Sequence, residues 1–348
     1  MKDQAVQKQR SVFLDMLKMV CVIMVIITHV SWSQRERASF IFPFIIDMAV
    51  PVFMIISGYL RAKKIEKIGF KKFISIRTSL LSFGNLMIAY VMVAIVEIIA
   101  AILSYRFHLG LDYSYILSSK IFFKWLFTGL SGPGSYYMPV MVQLIIFYPL
   151  IWFLVKKFKS MGLITCFAMN LAYEIMVYQC SMDPSLYRLL IFRYTFLIAL
   201  GVYFAMAKGT RGDDIIALIL LIAGILFITI NAYIKPFTLF QDWKSTSMLC
   251  VPLAYGVIYF LKKYFGDVKY NGIFIIGKAS LHIYLTQMVF FALGGGRRLN
   301  TLFKSLPSLL NGVLSSVIVV LVCVIVGIIF FKIESKVREW LFKKRARA

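Results

Sequence analysis

The sequence contains ten stretches of about 17 to 24 mostly apolar residues, each long enough to cross a hydrocarbon layer of roughly 30 Å as a helix. They lie near residues 12–31, 40–60, 80–103, 136–155, 162–180, 188–207, 214–233, 246–261, 271–292 and 312–333. A soluble domain could not bury a chain of 348 residues that is 61% hydrophobic. The sequence therefore predicts an all-α, polytopic integral membrane protein with about ten transmembrane helices.

Lysine and arginine are distributed unevenly among the predicted connections. They are concentrated in the termini and the even-numbered connections, which places both termini in the cytoplasm by the positive-inside rule. This topology, together with contact to anionic lipid, accounts for most of the net charge of +24. In a soluble chain, such a charge would indicate nucleic acid as a partner. With no internal repeat or separate soluble domain evident, residues 1–348 are predicted to form one transmembrane domain that contacts membrane lipids and no nucleic acid.

The common signatures of soluble enzymes are absent from the sequence. The five cysteines fall in predicted spans without the paired spacing of a metal site, so we predict no metal. There is no HExxH sequence, no glycine-rich phosphate loop after a strand and no GxSxG elbow.

His29 is the most informative of the polar residues in the predicted spans, because an imidazole within a bilayer is costly to place. At about 1.5 Å per residue, His29 lies some 25 Å above the inner end of the first span, and Asp47 of the second span reaches a similar level. The same outer layer is predicted to contain Glu97, Glu174, Arg193 and Gln287. An inner set consists of Asp15, Lys18, Ser57, Arg77 and Lys278.

A histidine near a carboxylate suits a general base that removes a proton from a hydroxyl, with the carboxylate orienting the ring. Attack on a thioester also needs a cation or N–H donors near the developing oxyanion, and Lys18 and Arg193 are alternatives for this role. For other residues, a purely structural role remains an alternative. Asp15 and Lys18 are one helical turn apart and could simply pair, and Ser57 could serve close helix packing.

Two segments resemble the membrane acyltransferase 3 family of bacterial cell-surface glycan O-acyltransferases. FLDMLKMVCVIMVIITHV (13–30) is similar to the opening helix of the family, with an acidic residue, a basic residue eleven positions before a histidine, and the histidine that is regarded as catalytic. VPVFMIISGYL (50–60) matches the signature Pro, Phe and Ser-Gly-Tyr run. Weaker similarities follow at 136–151, 193–205 and 276–287, so the resemblance covers most of the chain.

The resemblance implies transfer of an acyl group, most often acetyl, from cytosolic acyl-CoA to a hydroxyl of a surface or lipid-linked glycan. Acetyl-CoA would be the donor substrate, although succinyl transfer fits equally well, and the protein would lie in the bacterial plasma membrane. The predicted catalytic residues are His29, Asp47, Lys18 and Asp15. Those predicted to bind acyl-CoA are Arg77, Lys71, Lys72, Ser57 and Tyr59. Those predicted to bind the acceptor are Arg193, Glu97, Glu174, Tyr137 and Gln287.

The chain departs from the family pattern at several positions. Lys18 stands where arginine is frequent and lacks the bidentate fork of a guanidinium. The cytoplasmic Arg-x-x-Arg pair is reduced to Arg77, with Leu80 at the second place and Gly84 where proline is usual. Gln287 replaces a late histidine, and because glutamine cannot accept a proton at neutral pH, a mechanism that needs two histidines is disfavoured.

Two other functions are compatible with the sequence. Ten helices with charges inside the membrane also describe transporters, so a flippase for a glycan intermediate is one alternative. A catalytically lapsed homologue with a binding role is the other. The aromatic residues of the outer connection, residues 104–135, fit either sugar stacking or an interfacial helix.

Overall fold

Helices make up all the regular secondary structure in the computed structural model, which describes residues 12–42, 44–107, 119–207, 209–234, 251–266 and 272–345. They are α1 (Val12–Thr28), α2 (Gln34–Ser39), α3 (Ala49–Ile68), α4 (Phe70–Phe73), α5 (Ile76–Phe107), α6 (Ser119–Thr128), α7 (Tyr137–Phe158), α8 (Ser160–Gln179), α9 (Pro184–Leu189), α10 (Thr195–Met206), α11 (Arg211–Thr229), α12 (Val251–Phe265), α13 (Ile275–Lys278), α14 (Ser280–Ala292), α15 (Gly295–Leu302) and α16 (Ser308–Arg345). Short 3-10 turns span Ile191–Tyr194 and Gly272–Phe274, and a π turn spans Ile230–Ile234. These residues contain no strand, which confirms the predicted all-α class.

Five of the described helices are long and apolar enough to cross a membrane: α5, α7, α8, α11 and the Ser308–Leu341 part of α16. The 271–292 stretch was predicted as one span, but it is broken, since Gly272–Lys278 and Ser280–Ala292 meet at an angle of 68°. The other predicted spans correspond to α1, α3, α10 and α12, which are shorter or carry more charge. The apolar helices indicate a membrane protein, and the count of ten and the orientation of the termini stay predictions.

Helix α1 contacts α3, α13, α14 and α16. Its buried apolar side chains recur every three or four residues, as an amphipathic or buried helix requires. The contact with α13 is made by backbone, because a Cβ atom on Gly277 would lie 1.8 Å from the carbonyl oxygen of Asp15. This close approach places the first turn of α14, which follows α13 directly, beside α1.

Helices α3 and α10 cross at two glycines. A Cβ atom on Gly58 would lie 2.2 Å from the carbonyl oxygen of Ile198, and one on Gly201 would lie 2.1 Å from that of Ile55. Small residues at a crossing let two backbones approach closely. The Tyr148 hydroxyl of α7 donates a hydrogen bond of 2.8 Å to the Gly58 carbonyl oxygen. Helices α3, α7 and α10 therefore meet at Gly58.

The second predicted span begins later than the sequence indicates. Residues 40–60 were predicted as helix, but α3 starts at Ala49 and the residues described between 41 and 48 form turns. The carbonyl oxygen of Phe42 accepts hydrogen bonds from the N–H groups of Ile46 and Asp47, at 2.9 and 3.0 Å. This nested turn satisfies the backbone without a helix. Asp47 therefore precedes α3 and does not lie within it.

Candidate active site

A central cavity of about 190 Å³ lies between α1, the turn before α3, α3 itself, the start of α7 and the first turns of α14. Four residues predicted from the sequence line it together: His29, Asp47, Lys18 and Ser57. Tyr137, which was predicted to bind the acceptor, also lines it. The structure thus brings the two strongest sequence motifs, at 13–30 and 50–60, to one site.

The cavity is elongated along α1. Lys18 and His29 both line it, and their eleven positions of separation correspond to about 16 Å of helix. We refer to the Lys18 end as the inner end and to the His29 end as the outer end. The two residues therefore serve different depths of the cavity.

The inner end carries a buried ion pair. Lys18 Nζ lies 2.6 Å from Asp15 Oδ1, with side chains that are 14% and 2% exposed, respectively. A buried carboxylate this close to the ammonium group offsets much of its charge locally. The structure therefore supports the open reading in which Asp15 and Lys18 pair with each other.

Three consecutive residues of α3 divide between the cavity and α10. The Ser57 side chain lines the cavity and is hydrogen-bonded to Tyr137. Gly58 contacts α10, as described above. The ring of Tyr59 is 9% exposed and lies beside Phe204, with their centroids 5.2 Å apart. The Ser-Gly-Tyr motif therefore contributes its serine to the site, and its glycine and tyrosine to helix packing.

At the outer end, the chain reverses direction directly after α1. The Arg37 guanidinium donates to the carbonyl oxygen of Thr28 at 3.1 Å, and the Trp32 indole donates to that of Ile27 at 3.1 Å. These bonds satisfy carbonyl groups that a helix C-terminus leaves unpaired. The His29 ring packs edge-on against Phe291, with centroids 6.0 Å apart, and otherwise faces the cavity.

A glycine-rich turn, residues 129–136, forms the wall at the start of α7. Gly129, Gly132 and Gly134 have φ values of 104°, 92° and 88°, which a glycine adopts without strain. Side chains of α5 and α14 hold this turn in place. Glu97 of α5 accepts bonds of 3.1 Å from the Ser131 N–H and from the Trp125 indole.

Helix α14 holds the other side of this turn. Gln287 Nε2 donates a bond of 3.2 Å to the carbonyl oxygen of Pro133. The Tyr284 hydroxyl donates to the carbonyl oxygen of Gly134. Glu97 and Gln287, both predicted to bind the acceptor, thus lie behind the wall, and neither lines the cavity.

Arg193 and Glu174 form a second buried group behind the same wall. The Arg193 guanidinium carbon lies 4.4 Å from the ring centroid of Tyr187 and 5.7 Å from that of Tyr194. The Tyr187 hydroxyl is 2.6 Å from the carboxylate of Glu174. Arg193 is only 5% exposed. Tyr136 separates this group from the cavity, since its ring is stacked on that of Tyr194 at 6.4 Å.

A sequence model of the acyltransferase 3 family, described as an acyltransferase domain, matches residues 11–330. The chain belongs to the acyltransferase 3 family. No curated protein and no solved structure matches it. Membership confirms the resemblance of the two N-terminal motifs and, with the apolar helices, supports a membrane acyltransferase. The donor, the acceptor and the catalytic roles of individual residues are taken up below as proposals.

The basic residues predicted to bind acyl-CoA lie away from the cavity of this acyltransferase 3 protein. Lys71, Lys72 and Arg77 are exposed, beyond the last turn of α3. Arg61 is nearer, one helical turn beyond Ser57, and its guanidinium carbon lies 5.8 Å from the ring centroid of Tyr148. In the described part of the chain, Arg61 forms no ion pair.

Sequence reasoning missed several residues of this acyltransferase 3 site. Tyr136, Tyr284, Ser280, Thr28 and Phe53 all line the cavity. The doubled tyrosine after the glycine-rich turn was the available signal for Tyr136. Nothing in the hydrophobic pattern distinguishes the others. Among the described residues, no three His, Cys, Asp or Glu side chains are grouped so that they could hold a metal ion.

Proposed function

We propose that this protein transfers an acyl group, acetyl in the first instance, from cytosolic acyl-CoA to a hydroxyl of a cell-surface or lipid-linked glycan in the bacterial plasma membrane. The observation that supports the proposal is the single cavity that extends from Lys18 and Ser57 at one end to His29 and Asp47 at the other. Such a cavity can admit acyl-CoA through the inner end, so that the thioester group reaches the acceptor hydroxyl at the outer end. Membership of the acyltransferase 3 family supports the reaction class.

His29 is the general base in this proposal. Its imidazole removes the proton of the acceptor hydroxyl, and the acceptor oxygen forms a bond to the thioester carbonyl carbon. The carbon–sulfur bond then breaks, and the leaving thiolate receives the proton from His29, so that ester and coenzyme A thiol are the products. Asp47, at the same end of the cavity, is proposed to orient the imidazole and stabilise its charged form.

One histidine is sufficient for this mechanism. Gln287 occupies the place of a second family histidine and bonds the wall turn. His282 lies elsewhere, with its Nε2 atom 3.5 Å from a carboxylate oxygen of Glu334 of α16, and it does not line the cavity. His108 lies outside the described residues.

The proposal is tested on surface glycan from cells that contain the wild-type protein, the His29→Ala variant or no protein. Ester-linked acyl groups are measured by NMR before and after mild base, with the membrane level of each protein checked. We expect base-labile acyl groups in the wild type alone, at an unchanged glycan yield. Equal acylation in all three samples would contradict the enzyme for that glycan, and a simultaneous fall in exported glycan would favour the flippase.

We further expect Arg61 to contact the phosphate groups of the donor, because it lies one helical turn beyond Ser57, which lines the inner end. Replacing it by glutamine should raise the KM for acyl-CoA about tenfold, the value of one charge-assisted hydrogen bond. The KM for acyl-pantetheine, which lacks those phosphate groups, should not change. Steady-state kinetics with both donors measure the difference.

Lys157→Gln is the matched control for Arg61, since Lys157 is an exposed lysine of α7 that lies over Phe153 and Phe158. It should leave both KM values unchanged. Equal increases for the two donors in Arg61→Gln would show that Arg61 acts on the shape of the site and does not contact phosphate.

A further inference from the structure

The proposed reaction needs a hydrogen-bond donor at the thioester oxygen, because negative charge develops there during attack. The sequence indicated Lys18 or Arg193 for this role. Lys18 is paired with Asp15 at the inner end, about 16 Å along α1 from His29. Arg193 lies behind the cavity wall, in contact with Tyr187 and Tyr194. Neither cation reaches a carbonyl group placed at the outer end.

Tyr136 is a cavity-lining residue that meets this requirement. Two other tyrosines line the cavity, but Tyr137 is hydrogen-bonded to Ser57 and Tyr284 donates to Gly134. The structure shows no protein hydrogen bond from the Tyr136 hydroxyl within the residues it describes. The phenol is therefore available to donate to a ligand in the cavity.

The ring of Tyr136 is held in one orientation. It stacks on Tyr194 with an interplanar angle of only 6°, and Tyr194 in turn donates to the carbonyl oxygen of Arg188 at 3.3 Å. Tyr136 also directly precedes α7, whose positive dipole end favours negative charge nearby. A donor with a fixed ring needs little reorganisation when charge develops.

Arg193 supplies a fixed positive charge behind this ring. Its guanidinium interacts electrostatically with the hydroxyls of Tyr136, Tyr187 and Tyr194. Because the group is almost fully buried, little solvent screens that interaction. A positive charge close to the phenol oxygen makes its O–H a stronger hydrogen-bond donor.

We propose that the Tyr136 hydroxyl donates a hydrogen bond to the thioester oxygen in the transition state, and that Arg193 is a positioning residue that acts through Tyr136. As the new carbon–oxygen bond forms, the carbonyl electron pair moves onto this oxygen, and it returns when the carbon–sulfur bond breaks. The phenol keeps its proton throughout. This inference rests on the proposed acyl transfer.

Kinetics of Tyr136→Phe in purified membranes test the proposal. The variant keeps the stack on Tyr194 and loses only the hydroxyl. We expect kcat to fall about 100-fold, the usual effect of removing one oxyanion donor, with an unchanged KM for acyl-CoA. Tyr259→Phe is the matched control, because its hydroxyl donates to Asp214 and Tyr259 does not line the cavity, and its kcat should stay near that of the wild type.

The role of Arg193 is tested by a double-mutant cycle. Arg193→Gln should lower kcat in the wild-type background but have little further effect when Tyr136 is already phenylalanine, because both changes remove the same interaction. Arg193→Lys should restore part of the rate. A wild-type kcat in Tyr136→Phe, or additive losses of kcat in the double variant, would overturn this inference and leave the proposed acyl transfer standing.

The membrane level and melting temperature of each variant are measured beside its rate. If Arg193→Gln does not accumulate, the kcat of Tyr136→Phe alone tests the proposal, since this change removes one hydroxyl oxygen and keeps the ring. Absence of acyl transfer by the wild-type protein would overturn the proposed function, and this inference with it.

Discussion

Replacement of His29 by glutamine is expected to lower kcat by about 10²–10⁴-fold, the usual contribution of a positioned general base. Glutamine is similar in size and can hydrogen-bond, but it cannot accept a proton at neutral pH. The KM for acyl-CoA should change little, because the donor's phosphate groups are proposed to contact the inner end. Initial rates with radiolabelled acyl-CoA, in membranes with matched protein levels, measure the effect.

His282→Gln is the matched control, since His282 is the other described histidine and is not part of the cavity lining. It should retain wild-type kinetics in membranes that contain equal amounts of protein. If His29→Gln and the wild type transfer acyl groups at equal rates, His29 is not part of the chemistry.

Gly58→Leu and Gly201→Leu are expected to prevent folding of the protein. Each new side chain would have to enter space occupied by backbone of the opposite helix, at 2.2 and 2.1 Å from its nearest atom even for the Cβ alone. Backbone cannot move aside as a flexible side chain does, so the cost should exceed the roughly 3 kcal/mol typical of severe overpacking. Membrane levels and thermal melting of the solubilised protein measure the loss.

The matched control for these variants is Gly84→Leu in α5, where a Cβ atom would have no neighbour within 4 Å. It should accumulate and melt like the wild type. A stable, monodisperse Gly58→Leu protein would mean that α3 and α10 do not cross at these glycines.

Which polar residues lie at one level along the helices could be predicted from the sequence, because that level follows from the position of a residue within an apolar stretch. His29 and Asp47 were predicted at one level, and they do line one end of one cavity, although Asp47 lies in a turn and not in a helix. Glu97 and Gln287 bond the same wall turn. Their depth was therefore informative even where they face away from the cavity.

The face of each helix that turns towards the cavity could not be predicted in the same way. Ser57, Gly58 and Tyr59 are consecutive in the chain, yet only Ser57 faces the cavity, while Gly58 and Tyr59 contact α10. These spans are apolar on most sides, so no polar stripe marks the face that turns inward. The choice depends on contacts between distant segments, such as that of Gly277 with Asp15, which no local pattern contains.

The turn at residues 129–136 is bonded to side chains of two separate helices before any substrate arrives. A wall that is already ordered loses little conformational entropy on binding. The same rigidity limits which molecules can fit, because the wall cannot widen without breaking bonds to Glu97, Tyr284 or Gln287. The protein should therefore select its acceptor by rejecting shapes that do not fit, and a broader substrate range would require these three anchors to change first.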